Sequence, residues 1–125
     1  MRRRDIVYPW MNYLGDQTSA IVADAANAKV VFRAPYAATI TGARLTVRTA
    51  QTSGSVLRAD IKVNGVSIFS TKLTIDNGQK TSRTASIPDV IVNTAIANDD
   101  EISLFIDQAG AGGVGPFLIL YVRQQ

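Results

Sequence analysis

The chain has 125 residues, 46% of them hydrophobic and 18% charged, which suits one folded domain with a single core and excludes a chain disordered as a whole. It has no cysteine and no histidine, so disulfide frameworks, Cys/His zinc sites, thiol nucleophiles and His-based triads are excluded together. The net charge of +3 equals the run Arg2, Arg3 and Arg4, and the remaining basic side chains, among them Lys29, Arg44, Lys62, Lys80 and Arg123, are scattered and balanced by acids.

Residues 1–28 read as an N-terminal arm. Tyr8, Trp10, Met11 and Tyr13 sit in the opening stretch without a period that would bury them all on one side, and Pro9 biases Tyr8 toward an extended backbone. A strap across a surface is the expectation for residues 1–19. The run Ala20 to Ala28 is alanine-rich, but Ile21 and Val22 suit a strand as well as a helix, and a short strand is predicted at Ile21 to Ala23. Arg2 to Arg4 resemble the start of a signal peptide until Asp5, Pro9, Asn12 and Asp16 interrupt the apolar region it needs, so export by that route is not expected.

From residue 29 to 125 short β runs alternate with Gly, Pro, Asn and Asp. Val30 to Arg33 is followed by Thr39 to Thr49, one long strand kinked at Gly42, with Leu45 and Val47 on one face and Arg44, Thr46 and Arg48 on the other. Val56 to Val63 turns Ala59, Ile61 and Val63 inward. Asn64-Gly65 then accepts positive φ at both centres of a type I′ turn and predicts a hairpin into Val66 to Ile75, closed by Asp76-Asn77-Gly78. Thr81 to Ile87 is predicted as a polar edge strand and Val90 to Val92 as a brief apolar one. Asn98-Asp99-Asp100 turns into Glu101 to Asp107, whose inward face is Ile102, Leu104 and Ile106. Beyond the glycine-rich loop Gly110 to Gly115 lies Phe117 to Arg123. Being apolar on both faces, that strand should pack inside its own sandwich and also meet the arm or another subunit.

About seven or eight short strands without a helix define an all-β, two-sheet antiparallel sandwich, jelly-roll-like, with an extended N-terminal arm. An oligonucleotide-binding barrel would need stacking aromatics interleaved with a basic face, and three of the chain's aromatics lie in the arm. No nucleic-acid partner is expected. Nor is a membrane partner, since no apolar run approaches the roughly 20 residues that span a bilayer.

Carboxylates are the main catalytic side chains left. Asp99 and Glu101 share a strand face and offer oxygens to a hard cation, yet Asn and Asp before a strand ordinarily serve the turn. A glycosidase pair needs two carboxyls about 5 to 9.5 Å apart, and Asp60, Asp76 and Asp107 cannot be placed that way by spacing. No catalytic residue, metal or cofactor is therefore expected. The Gly110 to Gly115 loop feeds a strand rather than a helix, which removes a phosphate-cradling role and leaves a flexible connection whose Gly110, Gly112 and Gly113 could touch a recognised surface. In the arm, Arg2, Arg3, Arg4, Tyr8, Trp10, Met11 and Tyr13 are types enriched at interface centres and are the candidate partner-binding residues; Trp10 is also a candidate carbohydrate platform.

The runs Phe32-Arg33-Ala34-Pro35-Tyr36 and Thr39-Ile40-Thr41-Gly42, the stretch from Lys62 through Asn64-Gly65 to Asp76-Asn77-Gly78, and Ala97 to Ile102 with Asp107-Gln108-Ala109-Gly110, together resemble small β-sandwich domains of tailed-bacteriophage virion proteins. The resemblance covers residues 30–125. It implies a capsid decoration protein, trimeric on the outer shell of a virion assembled in the host cytoplasm, with the major capsid protein and copies of itself as partners. A tail or head fibre module that recognises a host glycan or protein is the alternative. Removing residues 2–14 is expected to leave the domain folded and to abolish attachment.

Overall fold

The computed structural model describes residues 6–125, so Arg2, Arg3 and Arg4 lie outside the described residues. The strands are β1 (Val7–Tyr13), β2 (Val30–Arg33), β3 (Ala38–Thr46), β4 (Leu57–Val63), β5 (Val66–Ser67), β6 (Phe69–Thr71), β7 (Leu73–Ile75), β8 (Val90–Ile91), β9 (Ala95–Ile96), β10 (Glu101–Gln108) and β11 (Phe117–Gln124). The first sheet runs β1-β11-β3-β9. The second runs β2-β10-β4-β5, with β7 also on β4, while β6 and β8 form a separate ribbon. Every ladder is antiparallel. The chain alternates between the two sheets, β1, β3, β9 and β11 in one and β2, β4 and β10 in the other, so successive segments face each other across the core of an all-β sandwich.

Alternation accounts for that core. Leu45, Leu118, Leu120 and Val122 of the first sheet are buried together with Leu57, Ile61, Leu73, Ile102, Leu104 and Ile106 of the second. The hairpin at Asn64-Gly65 forms with φ of 50° and 83°, the positive values its residues were expected to supply. At Gly42 the expected kink is a β-bulge: the ladder passes from Tyr121↔Gly42 to Val122↔Ile40, leaving Thr41 unpaired.

Four sequence expectations are corrected. Val7–Tyr13, expected as a strap across a surface, is the edge strand of the first sheet, paired from Val7↔Arg123 to Tyr13↔Phe117. Losing it would strip one whole side of β11. Ile21 to Ala23 is not a strand; this stretch crosses the end of the sandwich with single bridges from Ala20 to Val114 and Asp24 to Ile106. Val66 to Ile75 is broken into three pieces, because β6 leaves β4 to pair with β8 while Ser67 and Lys72 on either side reach Asp60. Thr81 to Ile87 holds a 3-10 turn, Ser82–Thr84, instead of an edge strand. Its hydroxyls win the competition with a ladder: Thr81 accepts from the Arg83 N–H, and Ser82 Oγ accepts from the buried Leu45 N–H at 3.0 Å.

Candidate functional site

The residues of β1 divide by strand alternation between two environments. Tyr8 and Trp10 turn inward and close the gap between the edge strands of the two sheets. Trp10 lies edge-on to Phe32 at 5.9 Å and to Tyr36 at 5.7 Å between ring centroids, and its indole N–H donates to the Tyr36 hydroxyl at 3.3 Å. Tyr8 meets Tyr36 edge-on at 6.3 Å. Trp10 is therefore engaged inside the fold and offers no flat platform to a sugar, which corrects that expectation.

Met11 and Tyr13 point the other way and remain 58% and 62% exposed. Register places them beside Ile119 and Phe117 of β11, and Tyr13 packs edge-on against Phe117 at 4.9 Å. Tyr121 continues the row opposite Pro9, with the Arg44 guanidinium 5.7 Å from its ring centroid. The two-sided apolar character of β11 thus has a double outcome. Leu118, Leu120 and Val122 fill the core, while Phe117, Ile119 and Tyr121 join the outward residues of β1 in an open apolar sheet face. Among the candidate arm residues the structure brings Met11 and Tyr13 onto this face and takes Tyr8 and Trp10 off it. Sequence reading turned Arg44 outward and expected the two-sided apolar run FLILYV to meet the arm or another subunit, but it did not join Arg44, Phe117, Ile119 and Tyr121 with Met11 and Tyr13 into one surface.

The free edge of β1 is interrupted by a proline. The Leu14 N–H donates to Pro116 O at 3.0 Å, so the even-numbered backbone groups of β1 address β11 and the odd-numbered ones point to the open edge. Pro9 falls on the open side. Its missing N–H costs no ladder bond and interrupts the row of donors another strand would use.

The glycine loop is pinned rather than free, because its glycines permit close backbone approach. A Cβ on Gly110 would stand 2.3 Å from Ser53 O and 2.6 Å from Ser55 O, and one on Gly113 would stand 2.8 Å from Gln51 Cγ. Gly112 has φ of +90° beside Thr52. Buried Gln51 ties the loops together: its Oε1 accepts from the Gly110 N–H, and its Nε2 donates to Ser55 O and Asn77 Oδ1.

Of the carboxylates weighed from sequence, Asp60 and Asp107 share one cation, Lys72. Lys72 Nζ lies 2.5 Å from Asp107 Oδ2 and 3.4 Å from Asp60 Oδ2, and Ser67 Oγ donates to Asp60 Oδ1 at 2.6 Å. The hydrogen bond to Asp107 leads the causes that hold the Lys72 ammonium above the ordinary lysine range. Charged, and shared by two carboxylates of which Asp60 is fully buried, this lysine ties the link between β6 and β7 to both β4 and β10. Asp76 accepts from the Ser86 N–H and hydroxyl. At the tip before β10, Asp100 accepts from Asn64 Nδ2 and the Ala97 N–H, which lowers its pKa, while Asp99 takes a left-handed φ of 68°. These side chains serve the turn. Among the described residues no group of three or more His, Cys, Asp or Glu is arranged to hold a metal ion, and no helix is long and apolar enough to cross a membrane.

No family model matches the chain, and no curated protein or solved structure matches it.

Proposed function

We propose that this chain is a non-enzymatic structural protein of a bacteriophage virion, a capsid decoration protein that works by covering protein surface. In this reading it assembles on the shell as a homotrimer, and the major capsid protein is its other partner. The observation that carries the contact with the capsid protein is the open face of Met11, Tyr13, Phe117, Ile119 and Tyr121 on the first sheet. A contiguous apolar face, rich in aromatic and methionine side chains and set on rigid strands, is what a protein contact needs and what an isolated soluble domain ordinarily avoids. Covering it contributes about 25 cal/mol per Å² before the costs of association. The virion setting comes from the resemblance of residues 30–125 to phage sandwich modules.

A second reading, a tail or fibre module for a host glycan or protein, draws on a groove of about 400 Å³ lined by Asn64, Val66, Val92, Asn93, Thr94 and Asp100. Its side chains combine apolar contact with amide and carboxylate groups. The glycines first considered for this role are occupied by the packing of their own loop. Immunogold electron microscopy of the source particles separates the readings. Label over heads is the expected result, label at tail tips favours the second reading, and label on neither overturns both.

A further inference from the structure

We infer that the open face of the first sheet docks flat against a protein surface that presents carboxylates around an apolar centre, and not against a second copy of itself. This rests on the reading of that face as a protein-contact surface and specifies the chemistry opposite it. The four strands of the first sheet contain Arg44 and Arg123 and no Asp or Glu. The strands of the second sheet instead contain Asp60, Glu101 and Asp107 alongside Arg33, Arg58 and Lys62. The acidic residues carried by the strands of the two sheets are therefore all in the second sheet.

Two copies meeting through this face would set Arg44 and Arg123 against strands that hold no carboxylate to receive them, which opposes association. A partner with carboxylates opposite Arg44 and Arg123 gains charge-assisted, bidentate hydrogen bonds at the rim while its apolar centre covers Met11 and Ile119. The approach is flat because Pro9 interrupts the free edge of β1, where strand addition would otherwise occur. Nucleic acid fits less well. Stacking needs open ring faces, yet Tyr13 and Phe117 meet edge-on at 68° and Arg44 already lies over Tyr121.

The test is an NMR titration of the full chain with a soluble Glu/Leu-rich peptide, with its Lys/Leu-rich counterpart and with an oligothymidylate, beside a dilution series of the chain alone. The expected result is perturbation of the Met11, Tyr13, Ile119 and Tyr121 amides by the acidic peptide. Affinity should weaken about 10-fold in the Arg44→Glu, Arg123→Glu double variant and about 3-fold in Arg123→Glu alone, whose exposed side chain leaves folding untouched. Equal response to the basic peptide, response to the oligothymidylate only, dilution shifts at the same amides, or no response overturns the inference. Head labelling of particles alongside any of those outcomes sinks this inference and leaves the decoration reading standing.

Discussion

Replacing Trp10 by Ala tests whether the opening strand belongs to the fold. A large aromatic side chain covers about 150 to 250 Å², and the mostly buried indole removes at least about 100 Å² from water, worth about 2.5 kcal/mol. The edge-on pairs with Phe32 and Tyr36 add about 0.5 to 1.5 kcal/mol each, offset by collapse of neighbours at a sheet edge. The net expectation is a loss of about 3 kcal/mol in urea unfolding, or about 10 °C in melting temperature for a domain of this size. Trp10 is the sole tryptophan, so its emission in the native chain reports β1 directly and should change in the same transition as the circular dichroism of the body. A loss below about 0.5 kcal/mol, together with native emission typical of a water-exposed indole, would refute the assignment of β1 to the sandwich.

Three further outcomes follow from the packing. Gly110→Ala places a methyl group against Ser53 O and Ser55 O and should cost about 2 to 4 kcal/mol by thermal melting; an unchanged melt means the loop is not held as described. Lys72→Met leaves Asp60 buried without its ammonium and should cost about 3 kcal/mol in urea, against less than about 1 kcal/mol for the exposed Lys80→Met. Because the folded pKa of Lys72 is raised, its contribution is complete below the unfolded lysine value and disappears only as pH rises through the folded one, so the difference between wild type and Lys72→Met should shrink at strongly alkaline pH. Asp76 and Asp100 have lowered folded pKa values, caused chiefly by Ser86 and Asn64 respectively. Their contribution is present above the unfolded carboxylate value and is lost as pH falls through the folded values, so melting temperature should drop below about pH 4, and less steeply in Asp76→Asn and Asp100→Asn.

The amino-acid sequence determined by itself the features that short-range stereochemistry controls. Alternation put Leu45 at the end of β3 and Val47 just beyond it on the core side, and Ile102, Leu104 and Ile106 on one side of β10, and Asn64-Gly65 announced a turn needing two positive φ values. A side chain's face follows from its neighbours two residues away, so these needed no knowledge of the rest of the chain. The choice of partner was different. The two-sided apolar run FLILYV pointed to the arm or another subunit as its neighbour, but nothing in it gives the edge-to-edge register with Val7–Tyr13, and the Val66 to Ile75 pattern does not reveal that its middle peels away to reach β8. Nor could Thr81 to Ile87 disclose that Ser82 is needed by the Leu45 N–H. The candidate face carries this furthest, since Met11, Arg44 and Tyr121 come from three separated segments, and only the antiparallel register of β1, β11 and β3 makes one surface of them. Periodicity fixes the direction of a side chain, but which backbone lies alongside is settled by satisfying ladder hydrogen bonds and filling a shared core, conditions met only when the whole chain is folded.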